Sequence, residues 1–284
     1  MGSFEFHPGA EKFDLLNAIR LAELSKLAYE PLDQTGAYLQ KELGLTQYQS
    51  FDNGDTQAFL VSNEAMVILA FRGTSTLTDW ETDAKFKFAA LENKKVHFGF
   101  SQALDYVWAD LSDAVCASKG PGQSLWVTGH SLGGALATLA VDRLTDAGVA
   151  INGLYTYGQP RVGDRDFARQ FDKKMGQSSF RFVNDEDVVT RVPPPPGYKH
   201  IGKMCFFDNK GVLFLENTLW HWWRSVSEGV AQRTEAGAAE TATQNPNGPG
   251  DHNLGYYLRN LQQNYAAQQP KTGSDTFKDY INQG

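Results

Sequence analysis

An apolar run at residues 124–128 leads directly into a serine between two glycines, and this junction restricts the possible folds more than any other part of the sequence. Ser131 stands between Gly129 and Gly133, and helical apolar spacing follows over residues 132–146. A strand that turns sharply into a helix brings two backbones close together, so small residues are needed on both sides of the serine. The pattern predicts such a turn with an exposed serine hydroxyl; an ordinary glycine-rich turn is the alternative.

Strand-like and helix-like segments alternate along most of the chain. Strand patterns occur at residues 58–61, 66–71, 153–158, 179–183, 198–207 and 212–215, and helical spacing at residues 11–29, 101–117, 164–175 and 254–261. Strands that alternate with helices form a largely parallel sheet that helices cover on both faces. We therefore predict one α/β domain over residues 1–284, with a hairpin near each end.

The charge balance restricts the partners. The 284 residues carry 26 basic and 33 acidic side chains, for a net charge of -7. Such a surface repels polyphosphates, so nucleic acid is not expected as a partner. The uncharged stretch at residues 120–141 contains Pro121 and His130, and it fits a buried strand and helix better than a membrane span. No transmembrane segment is predicted.

Two cysteines, Cys116 and Cys205, are too few for a disulfide-dense scaffold or a multi-cysteine metal site. We expect both cysteines to be buried, inert thiols, and one disulfide between them is the alternative. Residues 1–10 lack the basic start and apolar run of a secretory leader. This predicts a cytoplasmic location, with secretion after removal of a leader as the alternative.

A serine hydroxyl becomes a strong nucleophile only when a base accepts its proton and an acid orients that base. Three histidines follow Ser131, namely His200, His221 and His252. His252 precedes the last predicted helix, in a loop from which a side chain can reach across the strand ends. It is therefore the preferred base, with the other two as alternatives.

The candidate acid follows the strand at residues 179–183, where Asp185, Glu186 and Asp187 form a carboxylate cluster. An acidic loop cluster is usually only solvated surface. Its position after a strand, between the serine and the last histidine in the chain, nevertheless favours a catalytic role. The pattern alone leaves the choice among these carboxylates open.

Several further motifs occur in a fixed order along residues 60–260. They are Phe71-Arg72-Gly73-Thr74, Asp79-Trp80 with Asp83, Val96-His97-Phe98-Gly99-Phe100, Gly129-His130-Ser131-Leu132-Gly133-Gly134-Ala135, Tyr157-Gly158-Gln159-Pro160-Arg161-Val162-Gly163, Asn184-Asp185-Glu186-Asp187-Val188-Val189 and Asp251-His252. With these motifs the chain resembles the class 3 lipases, the fungal-lipase-like members of the α/β-hydrolase superfamily. That family includes triacylglycerol lipases, feruloyl esterases and plant phospholipases A1.

The resemblance implies an α/β-hydrolase fold with a short lid and assigns roles to individual residues. Asp187 matches the triad acid and His252 the triad base. Thr74 and Leu132 match the oxyanion hole, each with a backbone N–H, and Asp83 matches a carboxylate that orients the Thr74 hydroxyl. His130, which precedes the serine, matches a residue packed beside it without a role in proton transfer.

Two segments are expected to contact substrate. The resemblance places a lid at about residues 75–88, where Leu77 and Trp80 share one helical face. A tryptophan-rich helix and loop at about residues 217–250 carries Trp222 and Trp223, which are candidates for the acyl groove or a lipid surface, with a core position as the alternative. A polar tail is predicted at about residues 268–284.

Together these features predict a serine hydrolase of acylglycerol lipids, a triacylglycerol lipase that works through an acyl-enzyme. The alternatives are a feruloyl-type or short-chain carboxylesterase, a phospholipase A1 and, more remotely, a non-catalytic lipid-binding module. The expected partners are an acyl-ester lipid and a lipid–water interface. No metal and no organic cofactor is expected, and the oligomeric state is left open.

Overall fold

The computed structural model describes residues 4–54, 56–74, 87–91, 94–215 and 252–269. The strands are β1 Gln47–Asn53, β2 Thr56–Ser62, β3 Met66–Phe71, β4 Phe88–Leu91, β5 Lys94–His97, β6 Ser124–His130, β7 Gly153–Tyr157, β8 Ser179–Asn184, β9 Lys203–Phe207 and β10 Leu213–Leu215. The helices are α1 Leu15–Leu27, α2 Leu32–Leu43, α3 Phe98–Ser118, α4 Leu132–Asp146, α5 Arg165–Met175 and α6 Leu254–Gln268, with a 3-10 turn at Val189–Arg191.

Eight of the described strands form one sheet in the order β1-β2-β3-β6-β7-β8-β9-β10. The five neighbours from β3 through β9 run parallel, and the strands at both ends pair antiparallel. Strands β4 and β5 form a separate antiparallel pair. The parallel strands therefore end together at one edge, where the loops after β3, β6 and β8 meet.

Helices cover both faces of the main sheet. Helices α3, α4 and α5 share one hydrophobic core with it, and α1, α2 and α6 share the other. Along β3, Val67 and Leu69 enter the first core, and Ile68 and Ala70 enter the second. Because side chains alternate along a strand, a strand covered on both faces is apolar at every position.

The predicted alternation of strands and helices is confirmed, including the hairpin β2–β3. The sequence patterns did not predict α2, β1 or the pair β4–β5. In β1 only Phe51 is buried, because this edge strand is largely open to solvent on both faces and lacks an apolar pattern. Residues 75–86 of the expected lid, the tryptophan-rich segment from residue 217 to 250 and tail residues 270–284 lie outside the described residues. The boundaries of these segments and the single domain remain predictions.

No disulfide joins Cys116 and Cys205. Cys205 is buried as expected, whereas Cys116 is exposed. The expectation of two buried thiols was wrong for Cys116 because it lies on the solvent side of the amphipathic helix α3. Within the described residues, no helix is both long and apolar enough to span a membrane.

Candidate active site

Ser131 lies in a strained turn between β6 and α4. Its backbone has φ 58° and ψ -129°, and it is the one non-glycine residue with positive φ in the described part of the chain. Its N–H donates a 2.9 Å hydrogen bond to the carbonyl of Tyr157 on the neighbouring strand. Such a conformation costs about 1–3 kcal/mol and persists only where surrounding contacts fix it. The turn presents the serine at the carboxyl edge of the sheet.

The glycines beside the serine are required by close backbone contacts. A Cβ on Gly129 would lie 2.3 Å from the carbonyl oxygen of Gly133, and a Cβ on Gly133 would lie 2.4 Å from the carbonyl oxygen of Phe71. Both distances are far below van der Waals contact. The atoms that would be met are backbone oxygens, which cannot move aside as the end of a flexible side chain can. The prediction of small residues at these positions is therefore confirmed.

His252 and Asp187 form a hydrogen-bonded pair although 65 positions separate them. The Nδ1 atom of His252 lies 3.0 Å from Oδ1 and 2.9 Å from Oδ2 of Asp187. Asp187 comes from the turn after β8, and His252 immediately precedes the N-cap of α6. The Asp187 side chain has no exposed surface, and that of His252 is 13% exposed. Because an ionised carboxylate only accepts, Nδ1 carries the proton and Nε2 carries the lone pair.

Three donors hold the Asp187 carboxylate. Besides His252, the Tyr257 hydroxyl donates to Oδ2 at 2.6 Å and the Val189 N–H donates to Oδ1 at 2.9 Å. Burial acts to raise the pKa of Asp187, but the His252 imidazole and the Tyr257 hydroxyl outweigh it, so the net pKa lies below its usual value. The carboxylate is therefore charged at neutral pH and can orient a neutral or protonated imidazole.

Ser131 and His252 both contact the chain at the end of β7, through the serine backbone and the imidazole ring. The Ser131 N–H bonds to Tyr157, and an ideal Cβ on the next residue, Gly158, would lie 2.9 Å from Nδ1 of His252. Ser131 Oγ and His252 Nε2 are buried, and neither has a hydrogen-bond partner among the described residues. Catalytic serine–histidine hydrogen bonds are often long without substrate and tighten in the reacting complex.

The two residues expected to donate to an oxyanion are Leu132, which follows the serine, and Thr74, which follows Gly73. Gly73 packs against the serine turn, since an added Cβ would be 2.7 Å from the His130 carbonyl oxygen and 3.2 Å from Ser131 Cβ. Thr74, the next residue, is half-buried. Leu132 is the first residue of α4, whose opening N–H groups lack partners within the helix and favour negative charge.

The remaining predicted site residues divide into two groups. Asp83, Leu77, Trp80, Trp222 and Trp223 lie outside the described residues, as does the alternative base His221. His200, the other alternative, is described, and its Nε2 bonds to the carbonyl of Thr190 at 2.8 Å, not to Asp187. Of the three candidate acids, Asp187 is the one joined to His252. No group of three metal-ligating side chains occurs in the described ranges.

Sequence reasoning missed the contribution of Tyr257. Its apolar spacing with Leu254, Leu258 and Leu261 predicts a core residue on the last helix, and its side chain is indeed buried. The sequence feature that could have revealed this contribution is the tyrosine hydroxyl on the predicted buried face, five residues after the preferred base. A buried tyrosine hydroxyl usually requires a hydrogen-bond partner, and here the partner is the carboxylate that orients His252.

The mostly parallel sheet and the serine turn after β6 define an α/β-hydrolase fold. The family described as lipase (class 3) matches residues 68–196. A solved triacylglycerol lipase, described as having a serine protease triad at its catalytic centre, is 27% identical with a TM-score of 0.57 over 70% of this chain and 86% of that one. The family match and this structural similarity confirm the resemblance of the chain to the class 3, fungal-lipase-like lipases.

Curated relatives extend the comparison. The secreted mono- and diacylglycerol lipase 1 of Fusarium solani is 32% identical over 179 residues, or 61% of this chain and 50% of that protein. The phospholipase A1-II 3 of Oryza sativa subsp. japonica is 26% identical over 209 residues, or 60% of this chain and 50% of that protein. The chain thus spans about half the length of these relatives.

Proposed function

We propose that this chain hydrolyses carboxylic esters of acylglycerol lipids through an acyl-enzyme on Ser131. The observation that carries the proposal is the Asp187–His252 hydrogen bond of 2.9 Å, which fixes the imidazole tautomer with its lone pair on Nε2. Ser131 Oγ and this Nε2 are both buried, with no hydrogen-bond partner among the described residues. A hydroxyl and an available lone pair are what nucleophilic acyl transfer requires.

In the acylation step, Ser131 Oγ attacks the ester carbonyl carbon while His252 Nε2 accepts the serine proton. The carbonyl oxygen becomes an oxyanion, which the N–H groups of Thr74 and Leu132 stabilise. The intermediate then collapses: the bond to the alcohol oxygen breaks, and His252 returns its proton to the leaving alcohol. Asp187 remains ionised and stabilises the imidazolium during this step.

Deacylation repeats the same steps with water. His252 removes a proton from the water, whose oxygen attacks the acyl carbon of the serine ester. A second tetrahedral intermediate forms at the same oxyanion donors. It releases the fatty acid and restores the Ser131 hydroxyl with the proton from His252. The serine, histidine, aspartate and two amides supply every proton transfer and every charge stabilisation in this cycle, so it requires no cofactor.

The names of the relatives favour acylglycerols as substrates. The Fusarium solani relative is a mono- and diacylglycerol lipase, and the solved structure is a triacylglycerol lipase. The rice phospholipase A1 makes phospholipid the second candidate substrate. The net charge of -7 disfavours anionic phospholipid surfaces and supports neutral glycerides as the first choice.

The relatives also bear on location. The Fusarium solani lipase is named as secreted, which favours export over the cytoplasmic location that the sequence analysis put first. The predicted lipid–water interface is part of the same proposal. Leu77 and Trp80 of the expected lid and Trp222 and Trp223 of the tryptophan-rich segment are the side chains we assign to that contact.

Two measurements test the proposed function. A fluorophosphonate probe should label Ser131, and Ser131→Ala should abolish labelling and hydrolysis. Rates on nitrophenyl esters of increasing chain length, and on emulsified tri-, di- and monoacylglycerols against phosphatidylcholine, then assign the substrate class. We expect long acyl chains and glycerides to be favoured. Failure to label would support a non-catalytic lipid-binding module, and activity confined to short soluble esters would support a carboxylesterase.

A further inference from the structure

The catalytic histidine candidate is bonded through its backbone as well as its ring. The carbonyl oxygen of His252 lies 2.7 Å from Nε2 of His130, the residue before the serine. The Nδ1 atom of His130 lies 2.8 Å from the hydroxyl of Tyr29, just after α1. The two imidazole rings also pack at 4.6 Å between centroids, with 33° between their planes.

These contacts allow one arrangement of protons. A carbonyl oxygen only accepts, so His130 carries its proton on Nε2 and donates it to His252. Nδ1 of His130 then has a lone pair, and Tyr29 donates its hydroxyl proton to that atom. His130 is 2% exposed, and burial is the main reason that its pKa is lowered to about 3. It is therefore neutral at physiological pH, in a tautomer fixed at both ends.

Tyr29 connects this chain of bonds to the expected oxyanion loop. The Tyr29 hydroxyl lies against the backbone N–H of Gly73, and a Cβ on Gly73 would be 2.2 Å from that oxygen. The Arg72 guanidinium carbon lies 5.8 Å from the centre of the Tyr29 ring. A single line of contacts thus runs from the residue before Thr74, through Tyr29 and His130, to the backbone of His252.

We propose that Tyr29 and His130 are positioning residues that fix His252 relative to Ser131 and to the Thr74 loop. This inference rests on the proposed function, because it assigns Tyr29 and His130 to the geometry of the same reaction. Among the described residues, the one side chain that hydrogen-bonds the His252 ring is Asp187, and a ring held at one atom can still pivot. The second anchor, at its carbonyl, restricts the backbone from which the imidazole projects, and misplacement of a reacting group by 1 Å can cost about 100-fold in rate.

Kinetics of four variants test the inference. Tyr29→Phe keeps the ring and removes the donor, His130→Leu removes both bonds, and His130→Gln keeps an amide N–H near the position of Nε2. Tyr155→Phe is the matched control, because the Tyr155 hydroxyl accepts from the Asp14 N–H at the other end of α1 and contacts neither histidine. Nitrophenyl butyrate hydrolysis and thermal unfolding are measured for each.

We expect Tyr29→Phe and His130→Leu to lower kcat by about tenfold or more with KM changed less than about twofold. His130→Gln should recover most of the kcat that His130→Leu loses. Tyr155→Phe should keep the wild-type kcat even if its melting temperature falls as far as that of Tyr29→Phe. The inference is overturned if Tyr29→Phe keeps the wild-type kcat, or if the rate losses of all four variants simply follow their melting temperatures.

A spectroscopic measurement keeps the inference testable apart from activity. Nitrogen-15 NMR of the imidazoles should show His130 as the neutral Nε2–H tautomer at pH 7, with its signals assigned by their absence in His130→Gln. Tyr29→Phe should shift the Nδ1 signal. A charged or Nδ1–H imidazole would refute the positioning network. If the wild-type chain neither labels nor hydrolyses esters, the proposed function fails, whereas normal activity with an Nδ1–H His130 refutes this inference alone.

Discussion

The hydroxyl of Tyr257 donates a 2.6 Å hydrogen bond to Oδ2 of Asp187, so the carboxylate that holds His252 is itself held by a residue of the helix that His252 precedes. The same hydroxyl accepts a 3.1 Å hydrogen bond from the Asn184 N–H at the end of β8. Tyr257 is fully buried. The last helix therefore fixes both members of the acid–base pair: the histidine at its start and the aspartate through Tyr257.

Tyr257→Phe should weaken this arrangement without removing any reacting group. Loss of the hydroxyl takes one donor from Asp187 and leaves the buried Asn184 N–H without its acceptor, which should cost about 1–3 kcal/mol of stability. We expect kcat/KM for a nitrophenyl ester to fall by about tenfold, since a carboxylate with fewer donors orients His252 less well. Urea unfolding and steady-state kinetics measure the two effects.

The neighbouring Tyr256→Phe provides the control for this change. Tyr256 is on the same helix, and its ring, which the substitution retains, packs 4.6 Å from the guanidinium carbon of Arg259. Its kcat/KM should remain at the wild-type value. Equal rates in the two phenylalanine variants would show that the Tyr257 hydroxyl does not support Asp187.

The choice among the three clustered carboxylates can be tested by amide substitutions. Asp187→Asn preserves size but favours the wrong imidazole tautomer, and such a change lowers kcat by about 10,000-fold in serine proteases. We expect a loss of at least about 1,000-fold here. Asp185→Asn and Glu186→Gln alter carboxylates that make no hydrogen bond to His252 and should keep most of the activity. A large loss in Asp185→Asn with a small one in Asp187→Asn would reverse the assignment.

The sequence predicted the sheet, the serine turn and the preferred base His252 because these depend on local patterns and chain order, whereas the choice of Asp187 among three carboxylates depended on the family resemblance. Gly129 and Gly133 are visible as motif positions, and the burial of β3 follows from its unbroken apolar run. The contacts of Tyr29 and Tyr257 were not predictable. The partner of the Tyr29 hydroxyl lies 101 positions away in the chain, and that of the Tyr257 hydroxyl lies 70 positions away. In the sequence, both tyrosines fit only the pattern of an apolar helix face. Edge strand β1 was missed for the same physical reason: a segment with one buried residue has no periodicity to detect.

The oxyanion assignment of Thr74 separates into a backbone part and a hydroxyl part. Thr74→Val keeps the N–H and the shape but removes the hydroxyl, whereas Thr74→Ser keeps both donors. If the hydroxyl stabilises the oxyanion, Thr74→Val should lose about 3 kcal/mol of transition-state stabilisation, or about 100-fold in kcat, with little change in KM. Thr74→Ser should stay close to wild type. Equal rates for the two variants would leave the backbone N–H as the sole contribution of Thr74.

The close approach of β3 and α4 predicts that Gly133→Ala does not reach the native fold. The new Cβ would meet the Phe71 carbonyl oxygen at 2.4 Å and the Arg72 backbone at 2.8 Å, so two buried backbone segments would have to separate. We expect little soluble protein, or a destabilisation above about 4 kcal/mol. Gly9→Ala is the control, since nothing lies within 4 Å of its added Cβ. A folded Gly133→Ala protein with wild-type stability would mean that the strand and helix are further apart.

Three histidines with lowered pKa values predict that the fold begins to lose stability in mild acid, before most carboxylates titrate. Burial lowers the pKa of His97 to about 4 and, with a smaller contribution from His252, that of His130 to about 3; burial also lowers the pKa of His200 well below its ordinary value. An unfolded histidine has a pKa of about 6.5. Below that value the unfolded chain binds protons that the folded chain does not, so the stability these groups contribute is complete above about pH 6.5 and is lost as the pH falls toward their folded values.

Each of these histidines should lower the free energy of unfolding by up to about 1.4 kcal/mol per pH unit within that window. Asp187 acts in the same direction but in a lower pH range: its lowered pKa adds stability that disappears only below about pH 4, where carboxylates become protonated. Urea titrations from pH 7.5 to 4.5 measure the slope directly. His130→Gln removes one of the three groups and should reduce that slope by up to about 1.4 kcal/mol per pH unit. An unchanged slope in this variant would mean that His130 is already protonated in the folded protein, a state in which it has no lone pair for the Tyr29 hydroxyl.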